Sequence, residues 1–144
     1  MKNTDDPIVI EQTFNVSLLE IWCAITELNR MKEWFFKNIP SFEPKVGFET
    51  RFIIKNEGRI FPHIWKIVEI DPEKRIAYNW KYEGYQGDSV VVFDLSQDKE
   101  VSKLTLTHQV TEDFPQNIEE FKRESCLQGW KWFIKKSLKD YLEK

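Results

Sequence analysis

Apolar and polar residues alternate with a period of two along most of the chain, and the rhythm changes in two places. In EKRIAYNWKY (73–82) the even positions carry Ile76, Tyr78, Trp80 and Tyr82, while the odd ones carry Arg75, Ala77, Asn79 and Lys81. A strand sends successive side chains to opposite faces, so three large rings and an isoleucine share one side. The same period predicts strands over PIVIEQTF (7–14), FETRFIIK (48–55), RIFPHIWKIVEI (59–70), SVVVFDL (89–95) and VSKLTLTHQV (101–110). Turn-formers separate the last five: NEG (56–58), DPEK (71–74, read as a type I turn), EGYQGD and QDKE. Five consecutive strands with short connections predict an antiparallel meander. Pro62 donates no backbone hydrogen bond, so its strand needs an edge or a bulge there.

Helical spacing replaces alternation in SLLEIWCAITELNRMKEWFF. Ser17 followed three residues later by Glu20 is a capping box, and Leu18, Ile21, Trp22 and Ile25 form an apolar stripe. Asn29 is expected to end this helix, with Met31, Trp34 and Phe35 in a second short one. KNIPSFEPKVG, with two prolines and a glycine, reads as loop. From about Gln116 to Leu142 a long helix is predicted. Leu127, Trp130, Ile134, Leu138 and Tyr141 make one stripe, and Ile118, Phe121, Ser125, Gly129 and Trp132 lie nearly opposite. A helix apolar on two sides is gripped rather than laid on a surface. Gly129 costs about 1 kcal/mol against alanine inside a helix, which calls for a reason. Either a neighbour packs closely there or room is left for a ligand.

Composition narrows the reading. A chain of 144 residues suits one domain, expected over 7–143. Aromatics at 15% exceed what a minimal core requires. The net charge of −3 gives no general attraction to nucleic acid. Cys23 and Cys126 are too few for a disulfide framework and read as buried thiols in a reducing compartment. No apolar run approaches the ~20 residues of a membrane span, and MKNTDDP lacks the features of a secretion signal. The expected location is therefore cytoplasmic, without membrane insertion.

The order of these pieces resembles a known group. IVIEQTFNVSLLEIWCAIT, MKEWF, VEIDPEKRIAYNW, VVVFDL, LTLTH and GWKWFIKKSL follow one another as in the START/SRPBCC superfamily. Within it the chain is most similar to homologues of the activator of heat-shock protein 90 ATPase. The resemblance implies an α+β helix-grip fold, β-α-α-β5-α, in which a curved six-stranded antiparallel sheet surrounds the long C-terminal helix. Relatives of this fold include lipid carriers, hormone receptors, polyketide cyclases and chaperone regulators, so the fold alone leaves function open. Where relatives often carry a glycine, just before VEIDP, this chain has Trp65. If that strand faces inward, the indole narrows any cavity.

Enzyme motifs are absent: there is no GxSxG, GxGxxG, P-loop or HExxH. Neither His63 nor His108 has a partner at metal-ligand spacing, so no metal and no cofactor is expected. His108, between Leu106 and Val110 on an apolar strand face, is either a hydrogen-bonded core histidine or a polar anchor or general base in a cavity. The lysines of KWFIKKSLK read as a solvated face.

The leading expectation is a non-enzymatic site for a small hydrophobic or aromatic ligand between sheet and helix. Its candidate residues are Phe52, Tyr78, Trp80, Tyr82, Phe93, His108, Gly129 and Trp130. Phe48, Gln12 and Thr50 are further candidates for its lining. Two alternatives stand beside it. One is a chaperone-regulating interaction module, with a chaperone as partner. The other is a cyclase- or dehydratase-like enzyme using His108. A homodimer is a further partner expectation.

Overall fold

The computed structural model describes residues 1–143. Six antiparallel strands form one open sheet: β1 (Ile8–Phe14), β2 (Glu49–Asn56), β3 (Arg59–Asp71), β4 (Arg75–Tyr82), β5 (Asp88–Asp98) and β6 (Val101–Glu112). Their spatial order is β1-β6-β5-β4-β3-β2, so the meander runs unbroken and β1 returns to close beside the last strand. Alternation decides the faces. Phe61, His63, Trp65 and Ile67 of β3, Tyr78 and Trp80 of β4, Val91 and Phe93 of β5, and Leu104, Leu106 and His108 of β6 are all buried. Together with the helices this is the α+β helix-grip arrangement.

Two turns show how the strands are joined. Asn56 pairs with Arg59 across a two-residue loop in which Glu57 and Gly58 both have positive φ (53° and 78°). That is the signature of a type I′ hairpin, whose twist matches its flanking strands. The turn at 71–74 closes with Lys74 N–H donating to Asp71 O at 2.9 Å, but Glu73 sits at φ 63°. A positive φ at the third position marks type II rather than the expected type I geometry. Pro62 lies where the β3–β4 ladder stops: pairing begins at His63–Tyr82, and the Pro62 carbonyl accepts from Glu83 N–H at 3.0 Å. The side of the strand that would need a proline N–H therefore faces the end of the neighbouring strand. A bulge does occur in β3, but at Val68, between Ile67 and Glu69.

α1 (Leu18–Thr26) is capped by Ser17, whose hydroxyl accepts from Glu20 N–H at 3.1 Å. Only half of the predicted box forms, because the Glu20 carboxylate pairs with Arg30 instead. The chain breaks at Glu27, which is extended, rather than at Asn29, and α2 (Leu28–Trp34) follows directly. Phe35 terminates α2.

The C-terminal helix begins later than its pattern suggested. Residues after β6 form a 3₁₀ turn (Glu119–Phe121), and α3 starts at Arg123. It runs Arg123–Lys131, continues as a π-helical stretch Trp132–Leu138 and ends as α4, Lys139–Leu142. The junction residues keep helical dihedrals, so this is one rod with a wider middle. Trp130, Ile134 and Leu138 point into the sheet, whereas Trp132 is 57% exposed. The opposite stripe thus ends in solvent, and Phe121 reaches the core from the 3₁₀ turn instead. Lys135 Nζ donates to Glu11 O (2.8 Å) and Lys139 Nζ to Thr13 O (2.9 Å). Two lysines expected on a solvated face therefore hold backbone carbonyls of β1, an edge strand, and so blunt an edge that could otherwise pair with another chain.

Candidate functional site

The space between sheet and helix is largely filled by the protein's own rings. Trp65 sits at the centre, 1% exposed. Its ring lies 5.3 Å from Phe35, 5.1 Å from Tyr78, 4.9 Å from Trp80 and 4.8 Å from Phe52, centroid to centroid. Such offset, tilted and edge-to-face contacts suit the quadrupoles of aromatic rings. Three buried polar atoms in this part of the sheet, Thr50 Oγ1, Trp65 Nε1 and Tyr78 OH, take no partner among the described residues. Burial pushes the Tyr78 phenol well above its ordinary pKa.

One hollow remains, about 150 Å³. Its buried floor is His63, Trp80 and Trp130, and its outer wall includes the half-buried Phe36, Glu120, Gly129 and Phe133. Ligand pockets usually span about 300–1,000 Å³. This one has about the volume of the ~150 Å³ apolar cavity that admits a benzene ring in an engineered protein, but it is open on one side and carries polar groups. A Cβ added at Gly129 would meet nothing within 4 Å. The glycine is therefore not required by close packing; its missing side chain leaves the wall open.

A hydrogen-bonded chain fixes the floor. Ser89 Oγ donates to Trp80 O (2.6 Å), which uses its only proton. His108 Nε2, 2.8 Å from Ser89 Oγ, must then be the donor, and Nδ1 is the acceptor. Trp130 Nε1, which can only donate, reaches that Nδ1 at 3.0 Å, and Cys126 Sγ lies 3.3 Å from it. Strands β5 and β6 thus lock the indole of the helix in place. Burial lowers the His108 pKa to about 4 and raises the Cys126 thiol to about 12. The imidazole is neutral and the thiol protonated at neutral pH. Both nitrogens of His108 are engaged inside the protein, so acid–base work through it would first have to break one of these bonds.

His63 is arranged differently. Its Nδ1 donates to Phe61 O at 2.9 Å, and its ring stacks on Phe52 at 4.9 Å. Burial lowers its pKa to about 4. Tyr82 stands edge-on to it at 4.7 Å and accepts from Trp80 Nε1 at 2.7 Å. Glu120 is committed to Arg59 (2.9 and 3.0 Å) and Asn56 (2.8 Å). Burial alone would push its carboxyl up, but those hydrogen bonds outweigh it and hold the pKa below the ordinary carboxylate value.

Of the residues singled out from sequence, Trp80, Tyr82, Gly129 and Trp130 come together around the hollow. His108 lies behind Trp130, Phe93 packs 6.1 Å from the same indole, and Phe52 backs His63. Tyr78 is displaced to the far side of Trp65, next to Phe42. Phe48 also packs on Phe42, at 6.1 Å. Gln12 binds Thr13 O and neighbours Lys135 at the surface. Sequence reading did not single out Phe36, His63, Cys126 and Phe133 as lining residues. His63 carried a signal, since it alternates with Phe61 and Trp65 on β3. Phe133 falls between the two helical stripes, where its position depends on the π-helical stretch.

A larger groove of about 560 Å³ lies outside, between the α1–α2 break and the loop carrying Phe42 and Pro44. It is bordered by exposed Glu27, Asn29 and Pro44. Its thiol, Cys23, is raised to about 11 by a hydrogen bond with Glu27, burial and nearby acidic charge, and is unreactive there. The hollow between sheet and helix, with its buried floor and fixed polar atoms, is the candidate site.

A family model described as Activator of Hsp90 ATPase homolog 1-like protein matches residues 15–143. No curated protein matches the chain. Among solved structures, DynU16 from the dynemicin biosynthetic locus is 23% identical with a TM-score of 0.75, over 97% of this chain and 48% of that one. The present chain thus spans about half of DynU16. CalU16 from Micromonospora echinospora is 26% identical with a TM-score of 0.70, over 95% of this chain and 76% of that one. The Aha1 dimer from Colwellia psychrerythraea is 22% identical with a TM-score of 0.73, over 96% and 97%.

Proposed function

This chain belongs to the Activator of Hsp90 ATPase homolog 1-like family, and on that footing we propose that it binds a small, single-ring hydrophobic or aromatic molecule between the sheet and the C-terminal helix. The observation that carries this reading is the ring-sized hollow of about 150 Å³ with Gly129 in its wall. Filling it buries ligand surface worth about 25 cal/mol per Å², less the cost of association. Dissociation constants between about 10 µM and 1 mM are expected for ligands of this size. A structural neighbour from a natural-product locus, DynU16, fits a small-molecule role.

Calorimetric titration with single-ring aromatics tests it. Wild type should saturate, and Gly129→Leu, whose side chain enters the hollow, should fold normally and lose binding. Absence of saturable binding to any ring compound in wild type would end the proposal.

A second reading, a chaperone-regulating module, is favoured by the family description itself. The half-exposed Ile53 and Ile60 on the β2–β3 hairpin would be its contact points. An unchanged chaperone ATPase rate at saturating protein would remove it. Self-association, the arrangement of the Colwellia relative, is read by analytical ultracentrifugation.

A further inference from the structure

The polar atoms facing the hollow are not equivalent to those behind it. His108, Ser89 and Trp130 satisfy one another. His63 and Tyr82 leave something over. Because a carbonyl only accepts, the bond to Phe61 O fixes the His63 proton on Nδ1. The lone pair on His63 Nε2 is then an acceptor, and no donor among the described residues reaches it although His63 is 5% exposed. Tyr82 OH accepts from Trp80, and its own proton meets no acceptor among the described residues. The two rings stand 4.7 Å apart, and both line the same cavity. A ring with a free acceptor and a ring with a free donor therefore line the same ring-sized hollow.

The charged groups at the rim each have a protein partner. Glu120 is held by Arg59 and Asn56, and the Met1 ammonium donates to Phe121 O at 2.6 Å. What His63 and Tyr82 leave unsatisfied is neutral, and one hydroxyl group supplies both missing partners.

Resting on the binding reading above, we propose that the cavity selects an uncharged single-ring hydroxy compound, a phenol, whose hydroxyl donates to His63 Nε2 and accepts from Tyr82 OH. The aromatic ring of the ligand occupies the space beside Trp80, Trp130 and Gly129. Leaving a buried donor or acceptor unpaired is costly, so a ligand of the same shape without the hydroxyl is discriminated against.

Phenol and toluene are the probes, since they differ by a hydroxyl in place of a methyl group. Toluene is the more hydrophobic and would win in a purely apolar hole. Calorimetry on wild type should give phenol at least about tenfold tighter binding, the value of one well-placed hydrogen bond or more. In Tyr82→Phe the advantage should shrink, because only the bond to His63 Nε2 remains, while toluene binding persists. Toluene binding as well as or better than phenol in wild type overturns the phenol assignment and leaves the cavity reading standing. A phenol preference that survives Tyr82→Phe in full also overturns the assignment. If neither probe saturates at millimolar concentration, both readings fall. Should Tyr82→Phe not fold, the wild-type comparison decides alone.

Discussion

At the residue scale, Trp65 decides how much room the fold retains. Its side chain occupies the middle of the ring cluster and touches Trp80 and Phe36, which line the hollow. Trp65→Ala should cost about 3–5 kcal/mol of stability, the usual range for removing a buried large aromatic. The same variant should bind two-ring compounds that wild type rejects; chemical denaturation and titration read the two effects. Tyr78 behaves differently. Its hydroxyl is buried without a partner, so Tyr78→Phe removes an unpaired polar group at almost no cost in shape. Unfolding stability should be unchanged or raised, by up to about 1 kcal/mol, measured by urea denaturation. The aromatic row on β4 was legible in sequence as inward-facing. Its division was not: Trp80 and Tyr82 reach the hollow, whereas Tyr78 lies beyond Trp65. Which member of a row meets a cavity depends on what the opposing helix leaves empty, and no strand period records that.

At the element scale, period two located every strand, because one sheet face is buried and the other wet. The turns were placed correctly too, but their types depended on signs of φ that composition only biases. Glu57 holds a left-handed conformation in the type I′ hairpin that asparagine adopts more readily. Glu57→Asn should therefore stabilise the protein by about 0.5 kcal/mol, visible as a raised Tm. The C-terminal rod was the least legible element. Helical spacing extended the reading back to Gln116, but those positions form loop and a 3₁₀ turn. The widened turns over Trp132–Leu138 rotate Phe133 toward Phe35 and Trp34, at 4.9 and 6.5 Å. A wheel of constant pitch cannot anticipate that.

At the scale of the whole molecule, two neutral buried histidines make stability depend on pH. Both His63 and His108 fall from the ordinary value of 6.5 to about 4 because burial disfavours the charged form. The unfolded chain binds these protons first, so stability is full above about pH 6.5 and declines as pH falls toward 4. The loss by pH 4 is roughly 3 kcal/mol for each ring. Denaturant midpoints measured from pH 7 to 4 should fall across this window, and His63→Phe should flatten the slope in proportion.

The pairing of β1 with β6 joins residues about a hundred positions apart, Ile8 with His108 at one end. During synthesis the first ribbon emerges long before its mate exists. Its oily side must wait without shelter while the intervening hairpins assemble. Non-local pairing of this kind slows folding toward milliseconds or seconds. The newborn chain therefore spends that interval vulnerable to clumping, and its safe passage depends on how quickly the last strand arrives.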